Sequence, residues 1–244
     1  MKKKLGFYTE IAYFLGLFLL AFGTAMTVYG GFGMSMVVAP AFILHKFLSQ
    51  FSNFFSFAVA EYIFQAILLA TLMLILRKAK WSYILSFGSV LLYGLFLSLS
   101  QLLIDNLLPK NFILQIVIYI LGVVIICAAV AMLFSTYIPL EAYEMFVKEL
   151  SAKLKKPIPK VKIFYDCASL GLAIILCIIF LSPFKANGFF DVINNFIAAQ
   201  IGIGTVVCAF LNGILIGLFQ KLYSKIFNFK DKFKLRKYFE ESEK

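Results

Sequence analysis

Residues 112–135 read FILQIVIYILGVVIICAAVAMLFS. No charge interrupts this stretch, and Gln115 is its only amide side chain. At about 1.5 Å of rise per residue it is long enough to cross a hydrocarbon core of about 30 Å. A helix at the surface of a soluble protein carries one apolar stripe, whereas this one would be apolar all round. Reading outward, five further stretches have the same character: 9–30, 54–76, 82–104, 161–182 and 197–219. In lipid the backbone must satisfy its own hydrogen bonds, and no in-out alternation of about ten residues points to a barrel strand. The expected fold class is therefore an all-α membrane protein with six transmembrane helices.

Composition agrees. Apolar residues make up 62% and charged residues 14% of the 244, and the mean hydropathy is +0.94. Soluble domains are roughly half apolar and a quarter charged, so too little polar surface remains here to face water. Residues 1–222 are expected to form a single integral membrane domain, with halves 1–108 and 109–222. Residues 223–244 are expected to form a basic cytoplasmic tail lying as a helix on anionic lipid. Lys2, Lys3 and Lys4 before an apolar run resemble a signal peptide, but that run is too long and lacks a cleavage site, so it is read as a retained span. Heavy use of Lys, Ile, Phe, Asn and Tyr fits an AT-rich bacterial genome and an inner-membrane location.

The net charge of +11 does not point to nucleic acid, because the basic residues sit between apolar runs. They fall at Lys2–Lys4, then Lys46, then Arg77, Lys78 and Lys80, then Lys110. Six follow between Lys148 and Lys162, then Lys185 alone, then eight from Lys221 onward. Rich and poor segments alternate, so the positive-inside rule puts both termini and the second and fourth loops in the cytoplasm.

Two segments are apolar without being spans. Residues 33–50, GMSMVVAPAFILHKFLSQ, carry Pro40 and a polar end. Residues 139–156 place Leu140, Tyr143, Val147, Leu150 and Leu154 on one stripe, with Pro139 as the expected first helical residue. This helix is expected at the cytoplasmic interface or tucked against the bundle. A shift of 105 residues lays Phe32 on Tyr137 and Glu61 on Asp166, and a further gap lays FGSV at 87–90 on IGTV at 203–206. Each half would then be a span, an interfacial or re-entrant helix, and two more spans. Three spans per half is odd, so the halves would be inverted, as in many secondary transporters.

The segments GFGMSMVVAPAFILH, FAVAEYIFQ, YIPLEAYEMFVKEL, FYDCASL and GIGTVVCAFLNGILIGLF together resemble the YczE/YyaS/YitT-type bacterial membrane proteins. The likeness runs from about residue 10 to 222 and implies a multi-pass inner-membrane protein with no established activity.

Glu61 and Asp166 stand out because an acid inside a span costs several kcal/mol unless it faces a cavity or a partner. They are read as a substrate or ion site built from the two halves, with Gln65 one turn after Glu61. The plainer reading is a carboxyl that caps a neighbouring helix. By the repeat, the two acids should sit at separate depths in one cleft. Gly202, Gly204 and Thr205 form a GxGT stretch expected to pack closely or to break the sixth span in that cleft, with Asn212 two turns on. Glu141 and Glu144 suit the first turn of a helix electrostatically, or could gate against Lys160 or Lys162. Gly16, Gly23 and Gly30, and the pair Gly213 and Gly217, read as packing seams. His45 reads as a surface residue.

Cys127, Cys167, Cys177 and Cys208 form no CxxC pair, and with one histidine no metal or haem spacing can be built, so no cofactor and no metal are expected. Motifs of hydrolases, metalloenzymes and nucleotide-binding enzymes are absent, so the chain is not expected to be an enzyme. The leading expectation is a small-molecule transporter, or the substrate-binding membrane subunit of an uptake system, meeting the lipid bilayer and an unknown small molecule or ion. The alternative is a non-transporting regulator that recruits a protein partner, or a homo-oligomer.

Overall fold

The computed structural model describes residues 4–52, 54–55, 57–78, 81–109, 111–181 and 201–233. Six helices among them are long and apolar enough to cross a bilayer. They are α1 (Thr9–Gly30), α3 (Phe57–Leu76), α4 (Trp81–Leu107), α5 (Phe112–Leu133), α7 (Ile158–Leu176) and α8 (Ile203–Ile226). The two shorter helices are α2 (Ala39–Leu48) and α6 (Ala142–Leu154). A π-helical turn, Cys177–Leu181, extends α7. The helices cover the expected spans with shifted ends. The fifth begins at Ile158 because Pro159 fits a first turn, where its missing N–H leaves no gap. Part of the sixth expected span, 197–200, lies outside the described residues.

Small residues set the centre of the bundle. α1 runs antiparallel along α5: Gly16, Gly23 and Gly30 face Leu133, Ile126 and Tyr119 in turn. A Cβ at Gly23 would lie 2.9 Å from the Ile126 side chain and 3.0 Å from the Gly122 carbonyl. The glycine seam therefore lies within the subunit, as does the pair Gly213 and Gly217, which faces Pro159 and Ile163 of α7. α4 flanks α1, and α8 flanks both α5 and α7. Outward faces carry exposed residues such as Leu74, Leu95, Ile113 and Phe210, the surface that lipid covers.

The short helices enter the bundle instead of lying on it. α6 follows a non-helical passage in which two carbonyls accept hydrogen bonds from α4: Ser89 donates to Pro139 at 2.8 Å and Ser86 to Leu140. Pro139 is consequently not the first helical residue, since α6 starts at Ala142 with Glu141 as its N-cap. The α6 N-terminus sits beside Thr24 and Tyr93, well inside α1 and α4, while Lys153 near its other end donates to the carbonyl of Ile75 at the end of α3. The segment before α2 reaches the same interior from the other side, at Ser35, Val37 and Val38. α2 then runs outward until Phe47 stacks on Phe180 at the far end of α7.

The ends of the described chain meet. β1 (Leu5–Tyr8) pairs in parallel with β2 (Phe227–Lys230), Leu5 opposite Phe227. Phe227 and Phe229 thus belong to a strand, not to the surface helix expected of the tail, and residues 223–226 complete α8. Glu10 accepts from the Tyr137 hydroxyl at 2.8 Å and from the backbone N–H groups of Lys232 and Phe233 at 3.0 and 2.9 Å. Residues 234–244, the rest of the tail, lie outside the described residues.

Candidate functional site: a buried acid network around the start of α6

Four carboxylates and one ammonium share the interior. Glu61, Glu141, Glu144, Asp166 and Lys162 are each buried. Lys162 lies 3.1 Å from Asp166 and 3.4 Å from Glu144. On the other side of α6, Glu61 accepts from Tyr143 at 3.0 Å and from Gln65 at 3.2 Å. Two clusters therefore meet at the first turn of α6: Asp166 and Lys162 of α7 with Glu144, and Glu61 and Gln65 of α3 with Tyr143. Glu61 and Asp166 face inward and do not touch, because the first turn of α6 lies between them.

The α6 N-terminus explains why carboxylates can gather here. Its free N–H groups and helix dipole favour negative charge at Glu141 and Glu144. Lys162 adds one positive charge, leaving more acids than bases among these residues. Burial first, and then the neighbouring Glu144, push the Glu141 carboxyl well above the ordinary carboxylate range. Glu61 Oε2, Glu141 Oε2, Glu144 Oε2 and Gln65 Oε1 are buried and accept no protein hydrogen bond. A buried acceptor left without a donor costs about 1–3 kcal/mol, so these atoms call for water, a proton or a ligand.

Two cavities adjoin the network. The central one is about 20 Å³ in volume, room for about one water. Thr24, Ser35, Tyr93, Glu141, Glu144 and Asn212 help to line it, so α1, α4, α8 and the segments that lead into α2 and α6 all contribute. The other, about 240 Å³, lies between α3 and α4 and touches Glu61 from the opposite side. Tyr93 borders both. No group of three His, Cys, Asp or Glu among the described residues is spaced to hold a metal ion.

Of the residues singled out from sequence, Glu61, Gln65, Asp166, Glu141, Glu144 and Asn212 converge on this interior. Glu141 and Glu144 sit well inside it instead of at a cytoplasmic rim, and of the two lysines considered opposite them Lys162 makes the contact while Lys160 is exposed. The GxGT stretch lies elsewhere. Gly202 is the N-cap of α8, so the stretch begins the described helix and does not line the central cavity. Its role there is a latch. Gly204 N–H donates to the Phe32 carbonyl at 3.0 Å, and the Thr205 hydroxyl donates to the Met34 carbonyl at 2.8 Å. Gly33, at φ +121°, lies so close to Thr205 that no side chain fits. His45 is half-buried, its Nδ1 2.7 Å from the Phe55 carbonyl.

The sequence carries no signal that marks Tyr93 or Ser89 as a site residue, and it marks Lys162 only as a gate partner. Ser89 lay in the repeat alignment, but Tyr93 reads as one aromatic among many in a span.

Fold and interior together define a multi-pass α-helical membrane protein with an acid-rich core. Residues 7–221 match a family of unknown function, DUF6198, and the chain belongs to that family. No curated protein matches it, and no solved structure does.

Proposed function

We propose that the protein is an ion-coupled membrane transporter of a small molecule, with the network from Asp166 to Gln65 as its coupling site. The observation that carries this reading is the set of four buried carboxylates, two of them paired with one lysine, with orphaned acceptors, beside a small cavity that Glu141, Glu144 and Lys162 help to line. Intramembrane acids that face an interior and contact one another suit proton or cation movement. Opening the chamber alternately to either side would load and unload such a site.

An inverted repeat supports the same reading. Met34 and Pro139 stand 105 residues apart, the offset that relates the halves, and Ser89 and Thr205 correspond in the FGSV and IGTV segments. Each hydroxyl donates to the partner carbonyl of the opposite half, both at 2.8 Å. Two hydrogen bonds that interchange when the halves are exchanged are what a two-fold axis in the membrane plane produces. With the termini in the cytoplasm by the charge alternation, α6 is the re-entrant helix of the inner side and α2 that of the outer side. The resemblance to YczE/YyaS/YitT-type proteins fits this multi-pass arrangement.

The test is reconstitution into liposomes holding a pH-sensitive dye, with a membrane potential imposed by potassium and valinomycin. Wild-type protein should move protons, and Glu61→Gln and Asp166→Asn should each lower the rate at least tenfold while inserting normally. Wild-type protein that passes no protons and no sodium, with or without a metabolite mixture, would sink the reading.

A further inference from the structure

We infer that the cleft between α3 and α4 is the binding site of a small hydrophobic amine, held by the Glu61 carboxylate. The inference rests on the transport reading and deepens it by naming the substrate class; the cleft lies to one side of the coupling network and shares Glu61 with it. The cleft measures about 240 Å³. That is roughly eight times the share of one liquid water, the size of a single aromatic ring with a short tail. Phe57, Tyr62, Tyr93, Val90 and Leu97 supply mostly apolar and aromatic walls. Such walls favour an apolar body and, through their ring faces, a positive charge.

One strong acceptor meets those walls. Glu61 is buried; its Oε1 takes hydrogen bonds from Tyr143 and Gln65, while its Oε2 has no partner. Two hydroxyls of the cleft are directed elsewhere, Tyr93 donating to Thr24 at 3.3 Å and Ser98 to the Gly94 carbonyl at 3.0 Å, and the Tyr62 hydroxyl lies against Gly94. The missing group is therefore a donor, and beside a carboxylate a charged N–H is the strongest one. The cleft extends along α4 toward Gln101, and α4 ends beside the far end of α1, where Tyr29 donates to the Pro109 carbonyl. It thus faces the side of the bundle away from β1 and β2, the outer side in the proposed topology. An amine partitioned into the outer leaflet would reach Glu61 between two lipid-facing helices, and Tyr93 separates it there from the central cavity.

The test is titration of the purified full-length protein in detergent with phenethylammonium chloride, read by calorimetry and by the shift in melting temperature. Saturable binding is expected, weakened at least tenfold by Glu61→Gln and by Ser98→Phe, which fills the exposed mouth without touching the network. The neutral isostere 2-phenylethanol should bind at least tenfold more weakly than the amine. Folding of both variants is checked by their unliganded melts. No saturable binding to folded wild-type protein overturns the inference. Equal binding of the alcohol, or unchanged binding by folded Glu61→Gln, overturns it too. Amine binding without ion flux in liposomes upholds this site and refutes the transport reading; flux without amine binding does the reverse.

Discussion

Replacing Lys162 by Met should be the most damaging single change in the interior. The ammonium is buried and lies 3.1 Å from Asp166 and 3.4 Å from Glu144. The thioether fills similar space, so the main loss is charge. Removing one partner of a buried ion pair costs about 3–5 kcal/mol, because the other charge stays behind unpaired. Two carboxylates are left here, so the upper half of that range is expected, roughly three orders of magnitude in the folding equilibrium. The triple variant Lys162→Met, Glu144→Gln, Asp166→Asn removes the stranded charges as well and should recover most of the loss. Reversible unfolding in mixed micelles with increasing dodecyl sulfate measures both. A single variant within about 1 kcal/mol of wild type, or a triple variant no better than the single, would refute a lysine buried as the counter-ion of this network.

Other outcomes follow from the same geometry. Gly23→Ala should destabilise by about 1–3 kcal/mol, since the added carbon meets a backbone carbonyl at 3.0 Å, whereas Gly88→Ala, with open space at its Cβ, should stabilise by about 0.5–1 kcal/mol; paired melts check this. The folded state holds the Glu141 proton beyond the ordinary carboxylate range, so its ionisation erodes stability as pH rises from about 4.5 toward that raised value. Glu141→Gln should accordingly melt higher than wild type at pH 8 and show a flatter pH profile, and an unchanged profile would count against a buried neutral acid. Ser89→Ala and Thr205→Val each strip one buried carbonyl of its donor and should cost about 1–3 kcal/mol apiece, additively in the double variant, as unfolding in mixed micelles can show. Glu10→Ala should speed hydrogen exchange at residues 227–233, and unchanged exchange would deny the carboxylate its tethering role.

The spans were legible because bilayer thickness fixes how many apolar residues a helix needs, and 112–133 can hardly be read otherwise. Glu61 and Asp166 stood out for the related reason that an isolated acid in such a run is costly. Lys162 was hidden by its company. Counted with Lys160 and its neighbours it is one more cytoplasmic cation, and only the inward placement of α6 buries it. Tyr143 was read as part of an apolar stripe, which it is, but its hydroxyl tip meets Glu61. Position 139 misled because proline often opens helices, yet here the non-helical backbone at 139–140 is held by serines of α4 more than forty residues away in sequence. The GxGT stretch was recognised as a place of close approach; that its partner would be the loop at 32–34 depends on how α1 and α8 are brought together.

The meeting of β1 with β2 bears on how the protein is made. A ribosome releases Glu10 long before residues 227–233 exist, so α1 enters the membrane with a carboxylate whose backbone donors have yet to be synthesised. Until they arrive, its side-chain donors are the neighbouring Thr9 hydroxyl, at 3.4 Å, and Tyr137, which emerges only after four spans. Closure of the two strands is thus a late act of assembly, and a ribosome stalled before residue 227 would leave that carboxylate short of donors, a mark by which quality-control proteases could tell an unfinished chain from a finished one.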